Sequence, residues 1–335
     1  MKVLSLFDGI SCFRVALGDR KVAYLAAEID KNAIQISKKN FPDIEHLGSV
    51  CDVSGVTDVD ILVGGSPCTD LSIAMKGRKG LEGERSKLFY EYVRIWRECK
   101  PKWFILENVA SMSEKDKNII TDILGVQPVM INAALVSAQS RKRLFWTNIP
   151  IVGLPADRGI ILKDILEADV EDRYFIKNNT MTIKKDHKST ADFKQVGFIG
   201  AENACKAGGQ ALRIYDPKHK STTLGTCGAG LVQIGHISGS NAQANRVYSM
   251  EGKSVTLSAC AGGSGGKTGL YTNTNSAIVQ EKTIRRLTPT ECERLMGLPD
   301  GYTSGISMTA RYKAIGNAFH VEIMKWILQF IPKDI

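Results

Sequence analysis

The first 150 residues alternate short apolar runs with small, turn-forming residues and amphipathic stretches. That alternation is the signature of βαβ units, in which crossover helices join parallel strands, and it points to an α/β fold with a mostly parallel sheet. Strands are expected at Val3 to Leu6, Val22 to Glu28, Val59 to Val63, Trp103 to Leu106, Val129 to Asn132 and Arg143 to Trp146. Helices are expected from about Phe13, over Lys31 to Asn40, over Arg85 to Cys99 and around Asp116 to Leu124. In the third helix Leu88, Tyr92, Ile95, Trp96 and Cys99 recur at steps of three and four and share one face. Pro155 opens a stretch of different character, and a last helix runs from about Val321 to Phe330, before Pro332. A chain of 335 residues has room for one large α/β domain and a smaller insert.

Charge divides along the same line. The whole chain carries +9, of which residues 1–150 hold only +3, whereas residues 173–280 hold +8 together with 15 of the 31 glycines. A basic, glycine-rich segment with few helical patterns reads as short strands joined by turns and facing a polyanion such as nucleic acid. The segment also repeats itself. Arg213-Ile-Tyr215 and Lys220-Ser-Thr-Thr-Leu224 recur 33 residues later as Arg246-Val-Tyr248 and Lys253-Ser-Val-Thr-Leu257, which reads as a duplicated strand-turn unit. Such a unit either presents Arg213, Arg246 and Lys253 to phosphates or is a pair of similar hairpins with solvated charges. The acidic residues just before it, Asp164, Glu167, Asp169, Glu171 and Asp172, read as a solvated face. The eight cysteines show no CxxC or CxC spacing, so no metal site is expected. No apolar run approaches the ~20 residues that span a bilayer, and no signal-peptide pattern opens the chain, so a soluble cytoplasmic protein is expected.

Chemistry gathers at strand ends. Phe7-Asp8-Gly9-Ile10-Ser11 follows the first strand, where a glycine lets backbone approach a bound nucleoside, while the missing GxGxxG argues against a dinucleotide. Glu28 closes the second strand, a position suited either to ribose hydroxyls or to plain solvation. The third strand runs into Gly64-Gly65-Ser66-Pro67-Cys68, a constrained loop that offers a thiol where ligands bind such sheets. The fourth runs into Glu107-Asn108-Val109, which puts a carboxylate at the same edge. In Gln139-Ser140-Arg141-Lys142-Arg143 two guanidinium groups alternate along an extended segment, suited to phosphate or a pyrimidine carbonyl.

In this order, with Arg285-to-Pro299 (RRLTPTECERLMGLP) and Gly316-to-Val321 (GNAFHV) following, these blocks resemble the cytosine-C5 DNA methyltransferases over most of the chain. The loop Pro67-Cys68-Thr69-Asp70-Leu71-Ser72 is similar to the branch that holds the animal de novo enzymes and many phage enzymes. The resemblance implies an S-adenosylmethionine-dependent methyltransferase fold. This is a doubly wound mixed α/β sheet from residues 1–155 with 305–335, carrying a smaller strand- and loop-rich target recognition domain at 156–304. It implies Cys68 as nucleophile at C6 of a flipped cytosine and Glu107 at N3. Arg143 would meet the base carbonyl and Glu107, with Arg141 near the nucleophile or a flanking phosphate.

For the cofactor, S-adenosylmethionine, the resemblance implies Phe7 and Gly9 beside the methionine part, Asp8, Ile10 and Ser11 as further residues of the binding loop, Glu28 at the ribose and Ile29 against adenine. Ser49, Val50, Pro67 and Leu88 would line the pocket, with Asn317 and Ala318 closing it. Two positions depart from the family's usual spelling: Ser11 stands where glycine is common, and Ser49 where an aspartate often reads the adenine amine, a task open to Asp52 instead. Ser72, Arg213, Arg246 and Lys253 would serve DNA. The partner implied is double-stranded DNA, the acting unit a monomer, the setting a bacterial or phage-infected cytoplasm with or without a cognate restriction enzyme. Two other readings stay in view. One is the same fold acting on RNA, a branch whose Cys-Phe-Thr signature is missing here. The other is an inactive DNA-binding homologue, against which Cys68, Glu107, Arg141 and Arg143 all stand.

Overall fold

The computed structural model describes residues 1–67, 87–175, 195–198, 213–215, 233–236, 246–257, 268–272 and 284–332. In chain order the first half contains β1 (Lys2–Leu6), α1 (Cys12–Leu17), β2 (Ala23–Ala27), α2 (Lys31–Asn40), β3 (Glu45–Gly48), β4 (Ile61–Gly64), α3 (Leu88–Cys99), β5 (Trp103–Val109), α4 (Glu114–Leu124), β6 (Val129–Asn132) and β7 (Lys142–Thr147). These seven strands form one sheet in the order β3-β2-β1-β4-β5-β7-β6. All pairings from β3 to β5 are parallel, while β7 runs antiparallel to both β5 and β6.

Both faces of the sheet are covered, and the side chains of each strand divide between them with a period of two. Val3, Ala26, Ile61, Val63 and Ile105 enter one core cluster, and Leu4, Leu6, Leu25, Leu62, Phe104 and Leu106 enter the other. Burial of a side chain of this kind is worth about 1.5–3 kcal/mol, so β1, β2, β4, β5 and β7 are held from two sides. The helices start where the sequence supplies caps: Asp30 accepts the amide of Asn32 at the head of α2, and Ser113 accepts that of Asp116 at the head of α4. Gly125, left-handed at φ 68°, ends α4.

β5 runs on to Val109, past the expected end at Leu106, because Glu107 and Asn108 pair with Phe145 and Leu144 of β7. β4 starts at Ile61, after a left-handed break at Asp58 (φ 57°). β3 was not expected: it is a short edge strand of exposed and half-buried residues without an apolar alternation.

The basic segment contributes β8 (Gln195–Phe198), β9 (Arg213–Tyr215), β10 (Gln233–His236), β11 (Arg246–Ser249) and β12 (Leu270–Thr272). β8 and β9 pair antiparallel, with Gln195 opposite Tyr215, a register shift, then Gly197 opposite Ile214 and Phe198 opposite Arg213. β10 and β11 pair with Gln233 opposite Tyr248, a shift at the same place, then Gly235 opposite Val247 and His236 opposite Arg246. Of the repeat seen in the sequence, Arg213–Tyr215 and Arg246–Tyr248 are β9 and β11, each paired with the strand before it in the same register and with the same irregularity, while Lys220–Leu224 lies outside the described residues. β12 adds to β11 in parallel.

The chain closes with α5 (Pro289–Leu295), α6 (Met308–Asn317) and α7 (Val321–Leu328). α5 begins with a full capping box, Thr288 with Glu291, and Pro289 in its first turn. α6 was not expected, because its turns, with Gly316 near the end, bury few residues and show no strong apolar face. α5, α7 and residues Tyr248 to Leu257 share one core cluster with α1 and the sheet. Packing is continuous across the expected boundary at 304–305, where Arg311 reaches back to buried Glu293 at 2.8 Å.

Candidate active site

The sheet's register collects the chemistry at one edge. Leu6 lies opposite both Ala27 and Gly64, and Gly64 opposite Leu106, so the residues that follow these strand positions, Phe7, Glu28, Gly65 and Glu107, stand side by side. β2 lies on one flank of β1 and β4 on the other, which makes this the switch point where an open α/β sheet leaves a crevice.

The loop after β1 is strained. Phe7, Gly9 and Ser11 all have left-handed backbone, at φ 57°, 62° and 60°, a conformation that costs non-glycine residues of order 1–3 kcal/mol each. Internal hydrogen bonds hold it. Ser11 donates to Asp8 at 2.6 Å and stands 2.7 Å from Ser37 Oγ, while Tyr24 donates to Asp8 at 2.7 Å. Burial pushes the Asp8 carboxyl above its ordinary range, against these hydrogen bonds. The left-handed φ explains why glycine suits position 11, and the bond to Asp8 explains how serine manages there. The side chains of Asp8, Ile10 and Ser11 are buried in the protein and shape the loop from beneath.

Glu28 is fixed by three main-chain amides, accepting from Gly9 at 2.8 Å, Ile29 at 2.7 Å and Asp30 at 2.8 Å. Beside it Ile29 is 71% exposed, a large apolar side chain left bare. Ser49 accepts the amide of Cys51 and so caps a short turn, Val50 is packed in the core, and Asp52 is exposed. From the far side Lys313 of α6 reaches Asp30 at 2.7 Å, which ties the helix carrying Asn317 to the turn after Glu28. Asn317 is exposed, Ala318 is buried, and Pro67 and Leu88 are half-buried.

Cys68 and Ser72 lie outside the described residues, but the approach to Cys68 is described through Pro67. Its two glycines are required by crowding. A Cβ at Gly64 would stand 2.9 Å from the Tyr92 ring, and one at Gly65 would stand 2.8 Å from Phe319 and 3.2 Å from Glu107 Oε2. Asn108, whose role the sequence did not reveal, donates to the Ser66 hydroxyl at 3.2 Å and so pins the loop to β5.

Arg143 Nε stands 2.8 Å from Glu107 Oε1, both side chains mostly buried. Arg141 is 3% exposed and donates to the carbonyls of Gly316 at 3.3 Å and Ala318 at 3.0 Å. From that seat Arg141 holds the 316–318 turn. The expectation for Lys253 is corrected. It is buried, its ammonium donates to the carbonyls of Ser137 and Ile160, and burial lowers its pKa, so it is not a DNA-facing cation. Arg213 and Arg246 sit at equivalent register positions on β9 and β11. Glu167, expected to be solvated, is half-buried and receives the hydroxyl of Thr288.

A family model for C-5 cytosine-specific DNA methylases matches residues 1–333. The chain belongs to that family. Among curated relatives it is 29% identical to the type II methyltransferase M.HhaI of Haemophilus parahaemolyticus, over 98% of this chain and 93% of that protein. It is 26% identical to the type II methyltransferase M.HpaII of Haemophilus parainfluenzae, over 95% and 85%. Among solved structures it resembles the Entamoeba histolytica methyltransferase EhMeth with a TM-score of 0.65 at 13% identity, covering 98% of this chain and 97% of that one. It resembles a Spodoptera frugiperda DNMT2 variant with a TM-score of 0.60 at 17% identity, over 98% of each. These two likenesses are likenesses of fold.

C-5 cytosine methylases take their methyl group from S-adenosylmethionine, and the residues at the switch point suit it. A carboxylate fixed on three amides retains acceptor capacity for a diol, and bare Ile29 next to it offers an apolar face to a purine.

Proposed function

We propose that the chain methylates C5 of a flipped cytosine in double-stranded DNA through a covalent bond between Cys68 and C6 of the base. Cytosine C5 is a poor nucleophile. Addition of the Cys68 thiolate forms the S–C6 bond and pushes the C5–C6 π electrons into the ring, leaving C5 as an enamine carbon. Glu107 hydrogen-bonds N3, where negative charge develops, and Arg143 holds the Glu107 carboxyl and meets the base carbonyl. When bound, S-adenosylmethionine supplies a methyl group on a positively charged sulfur. Loss of the C5 proton then restores the double bond and expels the thiolate. Because C6 is covered in a stacked duplex, the base must leave the helix.

Glu28 and Ile29 hold the cofactor, Phe7 and Gly9 bring backbone close to it, and Arg213 and Arg246 serve phosphates. The observation that carries this reading is the 2.8 Å bond from Arg143 to Glu107, with Gly65 of the Cys68 loop packed against the same carboxylate.

The test is a duplex rich in 5-fluorocytosine, whose fluorine cannot leave C5 as a proton does. With S-adenosylmethionine the wild-type chain is expected to give an adduct that survives denaturing electrophoresis, and Cys68→Ser is expected to give none. An adduct that persists in Cys68→Ser overturns the assignment of the nucleophile.

A further inference from the structure

The segment that follows β11 does not stay in the recognition half. Residues 253–257 lie alongside 137–140 as a short parallel pairing, with Gln139 opposite Ser254. The Ser254 amide donates to Ala138 O at 2.6 Å, and the Ser140 amide donates to Ser254 O at 2.9 Å. Thr256 donates its hydroxyl to Ser140 O at 2.6 Å, and Lys253 donates to Ser137 O at 3.2 Å. Gln139 and Ser254 are fully buried.

The next residues on the 137–140 side are Arg141, seated on Gly316 and Ala318, and Arg143, bonded to Glu107. On the other side, Ser249 of β11 is joined to Lys253 by a turn whose carbonyls, at Met250 and Gly252, accept the amides of Lys163 and Leu162. An unbroken run of hydrogen-bonded main chain thus leads from Arg246 on β11 to Glu107 on β5.

We infer that residues 253–257 are the joint through which DNA held by the basic segment sets the arginine strand of the active site, with Lys253 and Thr256 as its positioning residues. The inference rests on the reading of Glu107 and Arg143 given above. The Lys253 ammonium is spent on the carbonyls of Ser137 and Ile160 and the Thr256 hydroxyl on that of Ser140. Each bonds a carbonyl within four residues of Arg141, so loss of either donor loosens the strand that carries both guanidinium groups. A buried carbonyl left without its donor is costly, and the strand can shift to relieve it without the chain unfolding.

The experiment compares Thr256→Val, Thr256→Ser and Lys253→Met with the wild type on sheared, unmethylated genomic DNA. Thr256→Val and Lys253→Met are expected to bind that DNA within twofold of wild type and to melt within a few degrees of it, while kcat falls at least tenfold at unchanged KM. Thr256→Ser, which keeps the hydroxyl, is expected to recover the rate. Rates within twofold of wild type, or a loss matched by weaker DNA binding or by melting, overturn the inference.

A second measurement is independent of turnover. On adding the DNA fragments, amide hydrogen exchange in residues 141–147 is expected to slow in the wild type and to stay unchanged in Thr256→Val. Equal slowing in both overturns the joint. A wild type that shows this coupling but methylates no DNA overturns the proposed reaction and leaves the joint standing.

Discussion

Arg143 and Glu107 belong to different strands and meet because β7 runs antiparallel to β5: Val109 lies opposite Arg143, and the guanidinium reaches back to Glu107 at 2.8 Å. A lysine there keeps the charge and loses the planar fork that holds a carboxylate in one orientation. Arg143→Lys is expected to slow single-turnover methyl transfer at least tenfold, about 1.4 kcal/mol of transition-state free energy, with cofactor affinity unchanged. A single-turnover rate equal to wild type would show that charge alone suffices.

Glu28 sits at the other end of the same crevice and supports three amides with two oxygens. Glu28→Gln replaces one acceptor oxygen by an NH2 group, which turns a donor toward amides that also donate. Binding of S-adenosylmethionine, followed by calorimetry, is expected to weaken more than tenfold while DNA binding holds. Unchanged cofactor affinity would take Glu28 out of the pocket.

Glu291 is a matter of stability. Its carboxylate is fully buried and accepts both terminal nitrogens of Arg285, at 2.8 and 2.7 Å, and the amides of Thr288 and Glu167. Removing one partner of a buried pair strands the other, at a cost of about 3–5 kcal/mol. Glu291→Ala is expected to lower stability by that amount in urea unfolding, and a loss below about 1 kcal/mol would mean that water reaches Arg285 and replaces the carboxylate.

His320 gives the chain an acid limit. Burial, and after it the nearby Arg141 charge, lowers its pKa from 6.5 to about 3, with Glu322 opposing. In the folded chain the ring stays neutral while in the unfolded chain it takes up a proton below pH 6.5, so acidification between 6.5 and 3 favours unfolding. From pH 7 to pH 5 this single group removes about 2 kcal/mol. In His320→Leu the stability lost over that interval is expected to be smaller by that amount. Equal losses in the two proteins would mean that His320 takes up its proton in the fold as readily as in the unfolded chain.

Much of the fold was legible because parallel strands buried on both faces leave apolar runs that helical periodicity then separates. Lys31–Asn40 and Val129–Asn132 match their expected bounds. β3 and α6 escaped because one lies at a sheet edge and the other buries little. The site residues were named from motif order, but a motif does not say which way a side chain points. Asp8 and Ser11 turn inward to hold a left-handed loop, and Lys253, basic and in a basic segment, is spent on carbonyls of the catalytic half. Asn108 was hidden for the same reason: its bond to Ser66 joins residues that only the sheet brings together.

The twin strand pairs, β8 with β9 and β10 with β11, keep one register although the segments that join their strands, 199–212 and 237–245, differ in length and sequence. Gln, Gly, Arg and Tyr stand at the same stations in both stems. The two stems thus hold one register across joining segments of fourteen and nine residues, so this pairing tolerates a change in the length of what it carries.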